Sequence, residues 1–159
     1  MGSGKTEVGK LLAQKLGKTY REMDVLVLEK SKMKNINEIF EKEGELRFRE
    51  LEIAVAKDLQ NTTNDIIATG GGVVINKIIL DYLKQNKTII IYLQTNFDII
   101  SRRLKGDTLR PLFRDKERAK QLYAIREPLY KQYADIIVTT DNQSLTDITM
   151  EIITRIKNV

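Results

Sequence analysis

The sequence predicts an α/β fold in which an open, parallel sheet carries helices on both faces. Strand-like and helical segments alternate along the chain, as they do where helices connect parallel strands. The segment "KTIIIYLQT" is an almost continuous apolar run, which indicates a strand covered on both faces. A second strand-like run, "DIIATGGGVVI", leads into three glycines. In such sheets, ligands bind at the carboxyl ends of the strands.

The first part of the chain predicts one strand among three helical segments. Apolar residues at helical spacing predict a helix over residues 4–16, which Gly17 is placed to end. The short segment "TYREMD" predicts a strand that ends at Asp24. Helical patterns follow over residues 25–40 and 41–61, and the second carries the apolar residues Phe48, Leu51, Val55 and Leu59.

The remaining elements repeat the alternation. Helices are expected over residues 78–85 and 97–104, on either side of the "KTIIIYLQT" strand. The polar, proline-containing segment "KGDTLRPLFRD" predicts a mobile loop, and two further helices flank a last strand, "DIIVTT". There is no internal repeat, low-complexity tract or linker, so residues 1–159 are expected to form one domain.

The composition limits the chemistry that this chain can perform. The chain has no Cys and no His, which excludes a thiolate nucleophile, a Cys- or His-ligated zinc site and imidazole acid-base catalysis. A metal must therefore be held by oxygen ligands, which favours magnesium. Proton transfer must depend on a carboxylate, a Lys or a Tyr.

The modest excess of positive charge suits a phosphate or carboxylate ligand, and the hydropathy pattern bears on membranes. The net charge is +5, but there is no dense basic run and no basic-aromatic stretch, so nucleic acid is not expected as a partner. No apolar run is long enough to span a bilayer, and no signal peptide precedes the first helix. We therefore expect a cytoplasmic protein that does not bind membranes.

The opening "MGSGKT" matches the second half of a phosphate-binding loop, G-x-x-x-x-G-K-[ST]. Gly2, Ser3 and Gly4 would let backbone N–H groups turn toward phosphate oxygens at the positive end of the following helix. Lys5 would bridge the outer phosphates, and Thr6 would bind magnesium. A helix start with incidental glycines is the alternative. We expect the missing first glycine and an apolar strand to be encoded upstream of Met1.

The other candidate residues are less specific when each is taken alone. Asp24 and Glu22 lie two residues apart, so both carboxylates could face one site, although a helix cap and a solvated strand are the simpler roles. Arg49 lies one helical turn from Glu52, which fits a surface ion pair equally well. The three glycines of "TGGG" would let the backbone approach a ligand closely. Arg110 and Arg126 are weak signals, because a lone Arg is usually solvated.

In order, the segments "MGSGKT", "EMD", "IFEKEGELRFRELE", "TGGG", "RPL" and "REPLY" resemble the bacterial and plant type of shikimate kinase. The resemblance covers essentially the whole chain and implies the nucleoside-monophosphate-kinase-like fold of P-loop kinases, with the first strand absent. It implies transfer of the γ-phosphoryl group of ATP to the 3-hydroxyl of shikimate, on the chorismate route to aromatic amino acids. Magnesium would be required, and a monomer is expected.

The resemblance also assigns residues to the nucleotide. Lys5 is expected to be catalytic, and Thr6 and Glu22 to serve magnesium. Arg110, on a lid around residues 106–117, would move toward the transferred phosphate as a third catalytic group beside Lys5 and Asp24. The residues expected to bind ATP are Gly2, Ser3, Gly4, Lys5, Thr6, Glu7, Arg103, Arg110 and Gln143.

For the acceptor, the resemblance implies that Asp24 orients the hydroxyl and takes its proton. Arg49 and Arg126 would bind the shikimate carboxylate, because a guanidinium recognises a planar carboxylate bidentately. The backbone of Gly71 and Gly72 would close over the ring.

One residue departs from the family pattern. Glu22 stands where the family usually has Asp, so its side chain is one methylene longer. The alternatives that we consider are another P-loop small-molecule kinase, distinguished by its acceptor, and a non-catalytic binding protein of the same family. ATP binding without turnover would favour the second.

Overall fold

The structure is a computed structural model that describes residues 2–104 and 115–158. The chain divides into two compact units. The terminal unit comprises Met1–Val8 and Ile89–Val159, and the middle unit comprises Gly9–Thr88. The first helix, α1 (Lys5–Leu16), runs through the point of division.

The middle unit is built on a pair of parallel strands. β1 (Thr19–Glu22) pairs with β2 (Asp65–Ala68), with Thr19 opposite Asp65 and Glu22 opposite Ala68. Between the two strands the chain forms α2 (Met23–Ser31), α3 (Ile36–Lys42) and α4 (Gly44–Leu59). A short 3₁₀ turn (Val73–Ile75), α5 (Lys77–Leu83) and a second 3₁₀ turn (Gln85–Lys87) follow β2. The innermost side chains of this unit are Met23, Val27, Ile39, Val55, Ala56 and Ile79.

The terminal unit has the same arrangement of paired parallel strands. β3 (Ile91–Gln94) pairs with β4 (Ile136–Thr139), with Ile91 opposite Ile136 and Gln94 opposite Thr139. α6 (Phe97–Arg103) and α7 (Lys116–Tyr133) lie between these strands in sequence, and α8 (Leu145–Ile156) follows them. The hydroxyls of Thr95 and Thr140, each just beyond its strand, share a buried hydrogen bond of 2.6 Å. This bond ties the carboxyl ends of β3 and β4 together.

The strands are parallel and connected through helices, as the sequence predicts. The described strands form two two-stranded parallel sheets, one in each unit. Burial in β3 differs from the prediction. In β3, Leu93 is buried, but the other strand residues are only half-buried. The apolar run had predicted a strand buried on both faces, which is more burial than the described residues provide.

Two predicted boundaries in the middle unit are wrong. The strand ends at Glu22 rather than at Asp24, because the fully buried Met23 already begins α2. Asp24 therefore lies in the first turn of a helix, where its charge is favourable beside the helix dipole. The helical pattern over residues 25–40 is interrupted. Lys32 adopts a left-handed conformation that ends α2, and Asn35 caps α3 by accepting a 2.9 Å bond from the Glu38 N–H.

Among the described residues, no helix is long and apolar enough to cross a membrane.

Candidate active site

The loop before α1 has the backbone of an anion-binding turn. Gly2 and Gly4 have φ values of +64° and +85°, a left-handed conformation that glycine adopts without strain. Ser3, between them, is buried. Beyond the loop, the Val8 N–H donates to the Gly4 carbonyl at 2.9 Å, so the helix begins directly after the turn. Such a turn at the positive end of a 12-residue helix suits a phosphate group.

The first turn of α1 carries the side chains that the sequence assigns to phosphate and magnesium. Lys5 and Thr6 are half-buried, whereas Glu7 is exposed. The Leu104 side chain packs closely against Gly2. A Cβ at position 2 would lie 2.9 Å from the Leu104 Cδ1 atom. Glycine at this position is therefore required by both its φ and its neighbour.

An open hollow of about 390 Å³ lies on the terminal unit, and its lining includes two of the residues expected to bind ATP, Arg103 and Gln143. Its lining residues are Ile99, Arg102, Arg103, Asn142 and Gln143. Arg103 Nη1 also donates to the Gly2 carbonyl at 3.3 Å, which connects this hollow to the phosphate-binding turn. The structure therefore places Arg103 and Gln143 together and links Arg103 to the loop.

In the middle unit, Asp24 lies beside the triple glycine. A Cβ at Gly70 would be 3.2 Å from Asp24 Oδ1 and 3.4 Å from Glu52 Oε1. The backbone that follows β2 therefore runs against two carboxylates, and a side chain at Gly70 would press on both. Gly71 and Gly72 continue this segment and are half-buried.

Arg49 is held in place by two carboxylates and a glycine. Its Nη1 donates to Glu52 Oε2 at 2.7 Å and its Nη2 donates to Glu45 Oε1 at 3.0 Å. Burial lowers the pKa of Arg49, but the hydrogen bonds and charges of Glu52 and Glu45 outweigh it and raise that pKa overall. A Cβ at Gly72 would lie only 2.7 Å from Arg49 Nη1, so the guanidinium occupies the space of a side chain there.

The surface ion pair considered for Arg49 and Glu52 is wrong, because the Glu52 side chain is only 2% exposed. Glu52 was not among the predicted site residues. The signal was present, because a glutamate one turn beyond Phe48 falls on the apolar face of α4. A carboxylate on a buried helix face requires a partner, and here Arg49 is that partner.

Arg126 is also not the solvated residue that a lone Arg usually is. It lies in α7 with 8% of its surface exposed. Its Nε atom is buried and has no hydrogen-bond partner within residues 2–104 and 115–158. A desolvated guanidinium with an unused donor is suited to an anionic ligand.

Glu22 is fixed by Tyr20 on the same face of β1. The Tyr20 hydroxyl donates to Glu22 Oε2 at 3.0 Å, and a Cβ at Gly9 would lie 2.8 Å from the Tyr20 ring. The described residues include no group of three or more acidic or other metal-binding side chains. The Thr6 hydroxyl and the Glu22 carboxylate each offer hard oxygen atoms, the type of ligand that magnesium prefers.

Within each unit, the structure brings one set of predicted residues together. In the middle unit, Asp24, Arg49 and the glycines form one cluster with Glu52. In the terminal unit, Gly2 and Gln143 share Arg103 as a neighbour. Arg126 belongs to the terminal unit. Arg110 lies outside the described residues, as does most of the predicted lid.

A glycine turn that opens a helix, within an α/β fold of parallel strands, defines the class of P-loop phosphotransferases. The shikimate kinase family model matches residues 1–157. The chain is 38% identical to the shikimate kinase of Geobacter sulfurreducens, covering 99% of this chain and 87% of that protein. It is also 38% identical to the shikimate kinase of Persephonella marina, with 99% and 94% covered.

Solved structures give the same result. Shikimate kinase from Acinetobacter baumannii in complex with shikimate superposes with a TM-score of 0.91 at 33% identity, covering 99% of this chain and 89% of that one. The enzyme from Aquifex aeolicus superposes with a TM-score of 0.86, also at 33% identity, with 99% and 92% covered. The chain belongs to the shikimate kinase family.

The family confirms the α/β fold class and the enzymatic activity predicted from the sequence. The chain is a phosphotransferase that uses ATP with magnesium to phosphorylate shikimate, in the biosynthesis of aromatic amino acids.

Proposed function

We propose that the residues of the middle-unit cluster recognise and activate the acceptor. Asp24 orients the 3-hydroxyl of shikimate and takes its proton, because its carboxylate lies against the glycine segment that follows β2. Arg49, together with Arg126, binds the shikimate carboxylate. The backbone of Gly71 and Gly72 covers the ring.

The observation that carries this proposal is the geometry of Arg49. Its guanidinium is fixed by Glu52 at 2.7 Å and fills the space beside Gly72, so it is oriented before any ligand binds. A preorganised, partly desolvated guanidinium is an efficient site for a planar carboxylate. An Arg that served only the stability of the fold would not require the neighbouring position to lack a side chain.

On the nucleotide side, we propose that Gly2, Ser3, Gly4, Lys5 and Thr6 hold the phosphates, with Glu7, Arg103 and Gln143 nearer the nucleoside. Bound magnesium would neutralise phosphate charge, with Thr6 and Glu22 as its protein ligands, Glu22 acting through water. The left-handed Gly2 and Gly4 and the hollow beside Arg103 support this assignment. Arg110 is proposed to contact the transferred phosphate.

Steady-state kinetics of Ala variants, with each substrate varied in turn, test the assignment. Removing Arg49 or Arg126 leaves the substrate carboxylate half paired, which costs on the order of 2–4 kcal/mol, or about 30- to 1,000-fold in kcat/KM for shikimate. The KM for ATP should stay unchanged. If both variants weaken ATP and leave shikimate unaffected, the carboxylate assignment is wrong.

Two variants provide the contrast on the nucleotide side. Lys5→Met should abolish turnover without unfolding the protein, because Lys5 is only half-buried in the first turn of α1.

Arg110→Ala should lower kcat itself, since its contact is expected to strengthen in the transition state. ATP binding without turnover in the unchanged protein would instead favour a non-catalytic binding protein.

We further propose that residues 1–159 form one domain with a lid around residues 106–117, which the match of one family model to residues 1–157 supports. The protein is proposed to act as a cytoplasmic monomer that binds neither nucleic acid nor membranes. Sedimentation at several protein concentrations and fractionation of cells test these statements.

A further inference from the structure

The hydroxyl of Tyr20 contacts the acidic residue that departs from the family pattern. Tyr20 and Glu22 lie two residues apart on β1, so both side chains leave the same face of the strand. The Tyr20 hydroxyl donates to Glu22 Oε2 at 3.0 Å, and both residues are half-buried. The strand register, with Tyr20 opposite Ile66 and Glu22 opposite Ala68, fixes the backbone of both residues. The contact therefore lies wholly within the middle unit.

The Tyr20 ring packs against α1. A Cβ at Gly9 would lie 2.8 Å from Cε2 of the ring and 3.8 Å from the Ile66 Cγ2 atom, so the absence of a side chain at position 9 leaves space for the ring. Lys10 Nζ lies 5.9 Å from the ring centroid, within the range of a cation–π attraction. Phenylalanine would fill this space equally well. Packing therefore explains the ring of Tyr20 but not its hydroxyl.

The glutamate at position 22 needs more restraint than the aspartate that the family usually has there. Its carboxylate is carried by one more rotatable bond, so holding it in one place costs more side-chain entropy. A hydroxyl that donates to an ionised carboxylate makes a charge-assisted hydrogen bond, which favours one orientation of that carboxylate. Where a carboxylate serves a metal, a hydrogen-bond partner of this kind tunes the affinity for the metal.

We propose that Tyr20 is a positioning residue for magnesium, whose hydroxyl holds the longer Glu22 carboxylate in the orientation in which it serves the metal. This inference rests on the proposed role of Glu22. Tyr20 acts through Glu22 and has no direct part in the transfer of the phosphoryl group.

Tyr20→Phe tests the proposal, because it removes the hydroxyl and keeps the ring. Manganese, which accepts the same oxygen ligands as magnesium, is the probe, and electron paramagnetic resonance counts its free form. With ADP bound to the protein, the Kd for manganese should rise about 3- to 10-fold. This is less than the roughly 10- to 100-fold typical of a group behind a metal ligand, because Glu22 is proposed to act through water. The calorimetric Kd values for ADP in EDTA and for shikimate should change less than about 2-fold, since neither measurement involves the metal.

Tyr82→Phe is the matched control, because it removes a tyrosine hydroxyl from α5 in the same unit. It should leave the Kd for manganese unchanged. A change as large as that of Tyr20→Phe would show that the effect is not specific to the contact with Glu22, and the proposal would be wrong.

A Glu22→Asp background separates positioning from a merely structural role. Removing one methylene withdraws the carboxylate from the Tyr20 hydroxyl by about one carbon–carbon bond, roughly 1.5 Å. In this background Tyr20→Phe should therefore change the Kd for manganese less than about 2-fold. An equal loss in both backgrounds would overturn the proposal, because the hydroxyl would then act without Glu22.

Gly9→Ala disturbs the same contact from α1 and decides the question if Tyr20→Phe is unfolded by circular dichroism. The new Cβ would lie 2.8 Å from the ring and displace it, so manganese should bind more weakly although the hydroxyl is still present. The Kd for ADP in EDTA separates this effect from a change in the phosphate-binding turn. Unchanged binding of manganese by Gly9→Ala would contradict the proposal.

The outcomes also distinguish this inference from the proposed function. If Glu22→Ala weakens manganese but Tyr20→Phe does not, the role of Tyr20 is wrong and the magnesium assignment of Glu22 stands. If Glu22→Ala binds manganese normally, that assignment itself is wrong and the role of Tyr20 falls with it.

Discussion

A single methyl group at position 72 is expected to impair acceptor binding without disturbing the backbone. Gly72 has φ near −82°, which alanine adopts readily, so Gly72→Ala introduces no conformational strain. Its Cβ would lie 2.7 Å from Arg49 Nη1, and the flexible Arg side chain must move away. The displaced guanidinium leaves Glu52 poorly paired, and we expect the KM for shikimate to rise about 10-fold.

The measurement is steady-state kinetics of Gly72→Ala with both substrates, beside thermal unfolding. The KM for ATP serves as the internal control and should not change. A variant that binds shikimate as tightly as the unchanged protein would show that the position of Arg49 is not important for the acceptor.

Sequence reasoning at this scale found Arg49 but not its partner. The pattern "GELRFRELE" shows an Arg and a Glu one turn apart, which alone fits an exposed pair equally well. Burial of Glu52 depends on the packing of α4 against other helices of the middle unit, and that packing is a tertiary property. The unused Nε of Arg126 could not be predicted for the same reason.

At the level of elements, an ion pair joins the two strands of the middle unit in addition to their backbone pairing. Arg21 Nε donates to Asp65 Oδ2 at 2.7 Å, and the Asp65 side chain is only 6% exposed. Asp65→Asn removes the charge from a buried acceptor that joins β1 to β2, and we expect a loss of about 1–2 kcal/mol in the free energy of unfolding. Urea unfolding, followed by circular dichroism, measures this loss in the free energy of unfolding.

An exposed pair in the same unit gives the comparison. Lys77 and Asp81 are 72% and 60% exposed, so Asp81→Asn should change the free energy of unfolding by less than about 0.5 kcal/mol. If the two Asn variants lose the same stability, the Arg21–Asp65 pair does not stabilise the strands as described.

Three tyrosines of the terminal unit, Tyr92, Tyr123 and Tyr130, predict a loss of stability at alkaline pH. Burial raises the pKa of Tyr92, Tyr123 and Tyr130, with the charge of Arg126 partly opposing the effect at Tyr130. The folded protein therefore keeps these protons when the unfolded chain, with tyrosine pKa values of about 10, releases them. Their contribution is complete below about pH 10 and is lost as the pH rises further.

Urea unfolding at pH values from about 8 to 11 checks this expectation. The stability of Tyr92→Phe, which lacks one of the ionising hydroxyls, should fall less steeply above about pH 10 than that of the unchanged protein. Parallel curves for the two proteins would contradict it.

For the whole molecule, the sequence predicted the fold class and the family, because several short motifs occurred in one order across the chain. It failed where local signals were ambiguous. The segment "TYREMD" is too short for periodicity to place a strand end, and burial of Met23 started the helix two residues early. The pairing of the strands joins residues that are far apart in the sequence. A local sequence pattern contains no information about such pairs.

Ligands that bind the folded protein should stabilise it, by an amount that grows with the logarithm of the ratio of ligand concentration to Kd. At about 100 times its Kd, shikimate is expected to add about 2.7 kcal/mol to the free energy of unfolding. Thermal unfolding with shikimate, and with ATP in the presence and absence of magnesium, measures this gain. At that same shikimate concentration Arg49→Ala should lose most of the gain, and an undiminished gain in this variant would argue against Arg49 as a ligand.

The grouping of tyrosines also gives the protein an optical signal of its own. The chain contains no Trp and six Tyr, so its near-ultraviolet absorption and emission come mainly from tyrosine. Four of these rings, those of Tyr92, Tyr123, Tyr130 and Tyr133, belong to the terminal unit, and Tyr92 and Tyr130 are stacked in a fixed orientation. Near-ultraviolet circular dichroism should therefore report on the order of this one unit. A change beside Arg126 can be followed without attaching a dye.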